Sequence, residues 1–224
     1  MTKLFTSLFA LAVASVTGLA AAQTPAAAAP AAGAQTTIEA KVAMCIGCHA
    51  IPGYQSSFPE VHRVPMIAGQ NAKYIVAALN AYKAGDRKHP TMRGIAEGLS
   101  EQDVNEIAAY YEKQVPSQPA PESARAPSPQ VAALLQKAAC ASCHGANFSK
   151  AIDPSYPKIA GQHKDYLFVA LKAYKAQNQS VVGRSNGIMG GIVKQFSNAE
   201  LKALADYVGS LDGELQVQPQ SRFR

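Results

Sequence analysis

The chain has 224 residues, with 21 Lys and Arg against 15 Asp and Glu, a net charge of +6. That length holds one large domain or two small ones. Only 16% of residues are charged and tryptophan is absent, so a small domain made from this chain needs apolar area beyond its own side chains, and a bound cofactor is one source.

At the N-terminus, Lys3 is the only charge before Glu39, and an apolar run from Leu4 to Ala14 leads to Ala20, Ala21 and Ala22. A basic n-region, an h-region and an A-x-A signal predict a cleaved signal peptide over 1–22. An uncleaved anchor is the alternative, since Leu4 to Ala22 spans 19 residues; its Ser and Thr content and the cleavage signal favour export. Residues 23–36, QTPAAAAPAAGAQT, read as an Ala/Pro-rich disordered leader. No later apolar run is long enough to cross a bilayer, so a soluble exported protein is expected.

A first helix is expected near 37–48, and it runs into Cys45-Ile46-Gly47-Cys48-His49. The same pattern returns as Cys140-Ala141-Ser142-Cys143-His144. Zinc, disulfides and haem are the candidates. A disulfide gives no reason for His to follow each pair. The two C-x-x-C pairs are also much farther apart than the ~15–20 residues of a zinc ribbon. Covalent haem accounts for every position: each cysteine forms a thioether with one vinyl group, and the adjacent His offers its imidazole to the iron. Two covalently bound haem c groups are expected, on Cys45, Cys48, Cys140 and Cys143, with His49 and His144 on the irons.

The pentads belong to a longer repeat. VPMIAGQNAKYIVAALNAYKAG (64–85) matches YPKIAGQHKDYLFVALKAYKAQ (156–177), and MRGIAEGLSEQDVNEIAAYY (92–111) matches MGGIVKQFSNAELKALADYV (189–208). Each unit predicts an all-α domain of about three helices. One approaches the pentad, near 37–48 or 130–143. A second follows the IAGQ turn, with Ile75, Ala78, Leu79 and Tyr82 on one face. A third starts at Ser100 or Ser197, with the stripe Val104, Ile107, Ala108, Tyr111 or Leu201, Leu204, Ala205, Val208. The expected domains are 37–114 and 131–212. The Pro-rich linker 115–130 joins them and the tail 213–224 follows.

A second axial ligand decides between electron transfer and catalysis. Met92 and Met189 are equivalent in the repeat, each eight residues before the Ser that opens the last helix. They are read as loop residues beside glycines (TMRG, IMGG) and expected to be the iron ligands. Met66 aligns with Lys158 and is assigned to packing. His62, His89 and His163 are expected at the surface or behind the ligands. No Ser/His/Asp set, paired carboxylates or phosphate loop is recognisable, so no catalytic residue is expected.

With these motifs the sequence resembles the cytochrome c4 family, from about residue 37 to 212. The carriers are the two pentads, P-x-I-A-G-Q twice, A-Y-K-A twice, and the two methionines. The resemblance implies two tandem class I cytochrome c-like domains, packed about a pseudo-twofold axis with facing haems, each with a His/Met iron. It further implies that Pro65 and Pro157 carbonyls hold the proximal histidines. The expected role is a periplasmic carrier of single electrons and not an enzyme. The expected donor is a quinol-oxidising complex or a dehydrogenase, and the acceptor a terminal oxidase. A membrane surface is a further candidate partner; neither nucleic acid nor a small-molecule substrate is expected. Two alternatives stay open: a dihaem subunit of a dehydrogenase complex, such as a sulfide-oxidising flavocytochrome, and a dihaem peroxidase or sulfur-oxidising enzyme.

Residues 37–115 carry 8 basic and 8 acidic side chains, net zero, whereas 131–224 carry 11 and 6, net +5. The second domain, with Lys172 and Lys175, is therefore the expected docking end for acidic partners.

Overall fold

The structure, a computed structural model, describes residues 37–176 and 179–219. The expected signal peptide, the leader and the last residues of the tail lie outside them.

Thr37 opens the first helix, α1 (Ile38–His49), by accepting a hydrogen bond from the Ala40 N–H, with Glu39 favourably placed in the first turn. The first pentad therefore rides on the last turns of α1. After the P-x-I-A-G-Q turn comes α2 (Ala72–Ala84), closed by Gly85 at φ +83°. A short helix, α3 (Pro90–Glu97), and then α4 (Glu101–Glu112) complete the first half. Ser100 and Asp103 form a capping box: Ser100 Oγ accepts from the Asp103 N–H, and the Asp103 carboxylate accepts from the Ser100 N–H, each at 3.1 Å. The second half has α5 (Pro129–Ala138), α6 (Ala141–His144), α7 (Lys164–Lys175), α8 (Gly187–Val193) and α9 (Asn198–Val208). Ser197 and Glu200 repeat the box at α9.

Val42, Leu79, Val104, Ile107 and Ala108 bring α1, α2 and α4 together, and Leu134, Val193, Leu201 and Leu204 do the same in the second half. Burying each Val, Leu or Ile side chain contributes about 1.5–3 kcal/mol. Among the described residues no helix is long and apolar enough to cross a membrane.

Two local expectations change. The helix expected unbroken over 130–143 is split at Ala139, which adopts a left-handed φ of +49°. The Ala139 N–H bonds the Gln136 carbonyl and the Cys140 N–H bonds that of Leu135, so α5 ends in a Schellman pair without a glycine. Met92 and Met189, expected in loops, lie in α3 and α8 instead. The reason is capping: the His89 and Asn186 side chains accept from the Met92 and Met189 N–H groups at 3.4 and 2.9 Å. A filled N-cap offsets the helix cost of the nearby glycines.

Short strands hold the remaining backbone. β1 (Gln55–Ser56) pairs antiparallel with β2 (His62–Arg63), and β3 (Arg87–Lys88) pairs antiparallel with β4 (Gly183–Arg184), linking the halves. Two residues are too few for sequence alternation to show. The connecting segments also cross over. Pro121 and Arg125, after α4, meet the second half, where their carbonyls accept from Asn147 Nδ2 and Tyr207 Oη at 2.9 and 2.6 Å. Gln216, after α9, meets the first half, donating to the Ala68 and Gln114 carbonyls at 3.2 and 2.9 Å. Gly69 makes room for this return: at φ +83°, a Cβ there would sit 2.3 Å from the Glu214 carbonyl oxygen.

Arg63 and Asp165 join the halves electrostatically. The guanidinium Nε lies 3.1 and 3.0 Å from the two carboxylate oxygens, and the Arg63 N–H donates to one of them at 3.0 Å. Burial works against the Asp165 charge, but hydrogen bonds from Arg63 and from the Tyr166 N–H outweigh it and hold the carboxyl at about 2. That is below an unfolded carboxyl at about 3.9, so its stabilisation is present above about pH 4 and lost as pH falls towards 2. Thermal unfolding of Asp165→Asn should therefore show a lower midpoint than the unaltered protein at pH 6–7, with the gap shrinking steadily as pH falls from about 4 to 2. A gap that stays constant over that range would show that the carboxylate charge is not the stabilising element.

Candidate haem site

Each pentad ends on a histidine at a helix C-terminus, and each histidine is fixed by one backbone carbonyl. His49 Nδ1 lies 2.7 Å from the Pro65 oxygen, and His144 Nδ1 lies 3.0 Å from the Pro157 oxygen. A carbonyl can only accept, so each Nδ1 carries the proton and each Nε2 keeps its lone pair. Burial pushes both imidazoles below the ordinary histidine pKa, partly countered by the carbonyl bond. The neutral ring is the form that ligates a metal.

Both histidines, all four cysteines, Met92 and Met189 line one largely apolar cavity of about 840 Å³ that runs through both halves. No disulfide joins the four cysteines among the described residues, and all four are partly buried. Among the described residues no three His, Cys, Asp or Glu side chains converge as a metal-ion cluster, as a tetrahedral zinc site would require. Met66 also borders the cavity but is buried at 9% exposure, and both of its backbone polar groups are bonded to Gln162.

A flat, largely apolar cofactor with acidic side groups fits these walls. Arg87 and Arg184, opposite each other in the β3–β4 pair, both border the cavity. Arg87 Nη2 donates to Tyr74 Oη at 3.1 Å and Arg184 Nη2 to Tyr166 Oη at 3.0 Å. The guanidinium carbons lie 5.2 and 5.7 Å from the Tyr74 and Tyr82 ring centres, and 5.4 and 5.5 Å from those of Tyr166 and Tyr174. Burial pushes the Tyr74 phenol up to about 12, so its neutral hydroxyl accepts the guanidinium N–H. Among the described residues neither guanidinium has a carboxylate within ion-pair distance. Two partly buried cations without a counter-charge suit a ligand with two or more carboxylates.

Sequence reading did not single out these arginines, although the signal was present: each stands five residues before its methionine. It also left Gln70 and Gln162, the last residues of the P-x-I-A-G-Q motifs, without a role. His62, expected at the surface or behind the ligands, is buried at 4% exposure. Its Nδ1 donates to the Glu60 carbonyl at 2.8 Å and its ring lies 6.1 Å from that of Tyr166 in the other half. Lys172 pairs with Glu60 across the halves, and Lys175 donates to the Phe196 carbonyl at 2.7 Å, as Lys83 does to Leu99 at 2.9 Å. Charge reversal at Lys172 would therefore disturb the contact between the halves as well as any external docking.

Comparison with known proteins agrees with this geometry. The cytochrome c family matches residues 130–212. Cytochrome c4 of Stutzerimonas stutzeri is 31% identical over 187 residues, covering 77% of this chain and 87% of that protein. The thiosulfate dehydrogenase electron acceptor of Thiomonas intermedia (strain K12) is 29% identical, covering 82% and 84%. Among solved structures, cytochrome c4 of Acidithiobacillus ferrooxidans superposes with a TM-score of 0.59 at 26% identity, over 76% of this chain and 99% of that one. A mostly helical chain with these likenesses belongs to the cytochrome c4 family, and it is an electron-transfer protein carrying covalently bound haem c.

Proposed function

We propose that the chain is a periplasmic dihaem carrier of single electrons, with one haem c in each of the domains 37–114 and 131–212. Cys45 and Cys48 would hold the first group and Cys140 and Cys143 the second, with His49/Met92 and His144/Met189 as the axial pairs. Bound there, haem c supplies a one-electron Fe(II)/Fe(III) couple.

The observation that carries the reading is the repeated pair of fixed imidazoles: His49 and His144 each bond a proline carbonyl through Nδ1 beside the same cavity. Pro65 and Pro157 thereby set ring orientation and tautomer, and leave Nε2 for the metal. The methionine thioethers are soft donors that favour the reduced metal and raise the potential. With a histidine and a methionine both holding each iron, no position would be left open to small molecules. Arg87 and Arg184, which border the cavity, would offset the charge of the acidic side groups, and its apolar walls would keep water out.

The partners proposed are a quinol-oxidising complex or a dehydrogenase as donor and a terminal oxidase as acceptor. A specific second reading, acceptor of a thiosulfate-oxidising dehydrogenase, is favoured by the likeness to the Thiomonas intermedia protein. A redox titration of the purified protein, followed by absorbance, is expected to show two one-electron haem c couples, and the reduced form should leave carbon monoxide unbound. One couple, or carbon monoxide binding by the unaltered protein, would overturn the proposal. Reduction of the protein by a thiosulfate dehydrogenase at catalytic rates would select the second reading.

A further inference from the structure

We propose that Gln70 and Gln162 are positioning residues that act crosswise: each tunes the proximal histidine of the opposite half through a single shared peptide group. This rests on the assignment of His49 and His144 as iron ligands.

The Pro65 carbonyl that accepts from His49 Nδ1 belongs to the same amide as the Met66 N–H. That N–H donates to Gln162 Oε1, in the second half, at 3.0 Å, and Gln162 Nε2 returns a bond to the Met66 carbonyl at 2.8 Å. The arrangement is reciprocated. The Pro157 carbonyl that accepts from His144 shares its amide with the Lys158 N–H, which donates to Gln70 Oε1 at 2.9 Å. Gln70 Nε2 donates back to the Lys158 carbonyl at 3.0 Å.

Both glutamines are 4% exposed, and each oxygen is further held by the next backbone N–H, that of Asn71 or His163, at 3.0 Å. Their geometry is therefore rigid. Asn71 Nδ2 adds a bond to the Tyr156 carbonyl at 3.0 Å, anchoring the second-half segment once more.

The chemistry follows from polarisation along a hydrogen-bond chain. An acceptor on the N–H side of an amide makes its carbonyl oxygen more negative, by an amount that strengthens the next bond by roughly 10–30%. A stronger pull on Nδ1–H gives the imidazole more imidazolate character and makes Nε2 a better donor. A better donor stabilises Fe(III) and lowers the potential. Each glutamine thus holds down the potential of the iron in the other half. Any shift of the two halves against each other would reach both irons through the same four bonds.

Gln162→Met keeps the bulk and removes both bonds. In the holoprotein it is expected to raise the midpoint of the first-half haem only, followed by that haem's own methyl resonances during a redox titration. In reduced protein labelled with 15N-histidine, the His49 Nδ1–H signal should move upfield while that of His144 stays. Gln70→Met should do the reverse. Gln162→Glu keeps an acceptor for the Met66 N–H and is expected to leave the first-half midpoint unraised.

In the unaltered protein, the Met66 and Lys158 amides should exchange with solvent slowly, a readout that holds even if the Met variants fail to fold. Fast exchange of both amides would overturn the proposal, as would a Gln162→Met effect confined to the second-half haem, equal on both haems, or absent. Lack of haem-shifted ring signals from His49 and His144 in the unaltered protein would instead remove the ligand assignment, and this proposal with it.

Discussion

A variant carrying Cys45→Ala and Cys48→Ala is expected to retain one covalent haem, against the two proposed for the unaltered protein. Intact mass should exceed that of the polypeptide present by two haems in the unaltered protein and by one in the variant, and the remaining haem should survive acid-acetone extraction. The loss should be local, because the second pentad stands 95 residues further on, at the end of its own helix. Stability should fall as well. Ile75, Leu79, Ile107 and Tyr111 border the cavity and also belong to the first-half core, so a missing cofactor leaves them facing a void. Large voids in a core cost several kcal/mol. A variant with two covalent haems, or an unaltered protein with one, would overturn the assignment of the cysteines.

Met92→Ala and Met189→Ala are each expected to remove about half of the weak sulfur-to-iron absorption band of the oxidised protein, and to open one iron to carbon monoxide or cyanide. The structure makes these clean substitutions. Each methionine is the third residue of a short helix whose N-cap, His89 or Asn186, bonds its backbone N–H rather than its side chain. Alanine keeps that bond and has the highest helix propensity, so the helix should persist while the sulfur is lost. The midpoint of the affected haem should fall, since the thioether is the group that raises it. Met66→Ala is the control, because its backbone is already tied to Gln162. If that variant opens an iron and Met92→Ala does not, the axial assignment is wrong.

Much of the molecule was determined by sequence alone, for a local reason. Thioether attachment needs two cysteines and a histidine within reach of one porphyrin, so the pentad spacing is the local signature from which haem is expected. The stripes Val104, Ile107, Ala108 and Leu201, Leu204, Ala205 follow the 3.6-residue period, and Ser100 and Ser197 act within three residues as caps. The repeat offset also paired Met92 with Met189 without any coordinates, although it could not reveal that capping turns their glycine-rich segments into helices.

What only tertiary structure decided lies where the halves meet. The Gln162–Met66, Gln70–Lys158, Arg63–Asp165 and Gln216–Gln114 bonds span 96, 88, 102 and 102 residues. Arg87 and Arg184 become strand partners only when two loops are brought together. No local period encodes such pairs, and a buried glutamine reads like an exposed one. The P-x-I-A-G-Q motif was visible twice. The work of its glutamine was not, because that glutamine bonds the backbone of the other copy of the repeat, and only packing of the two halves brings that backbone within 3 Å.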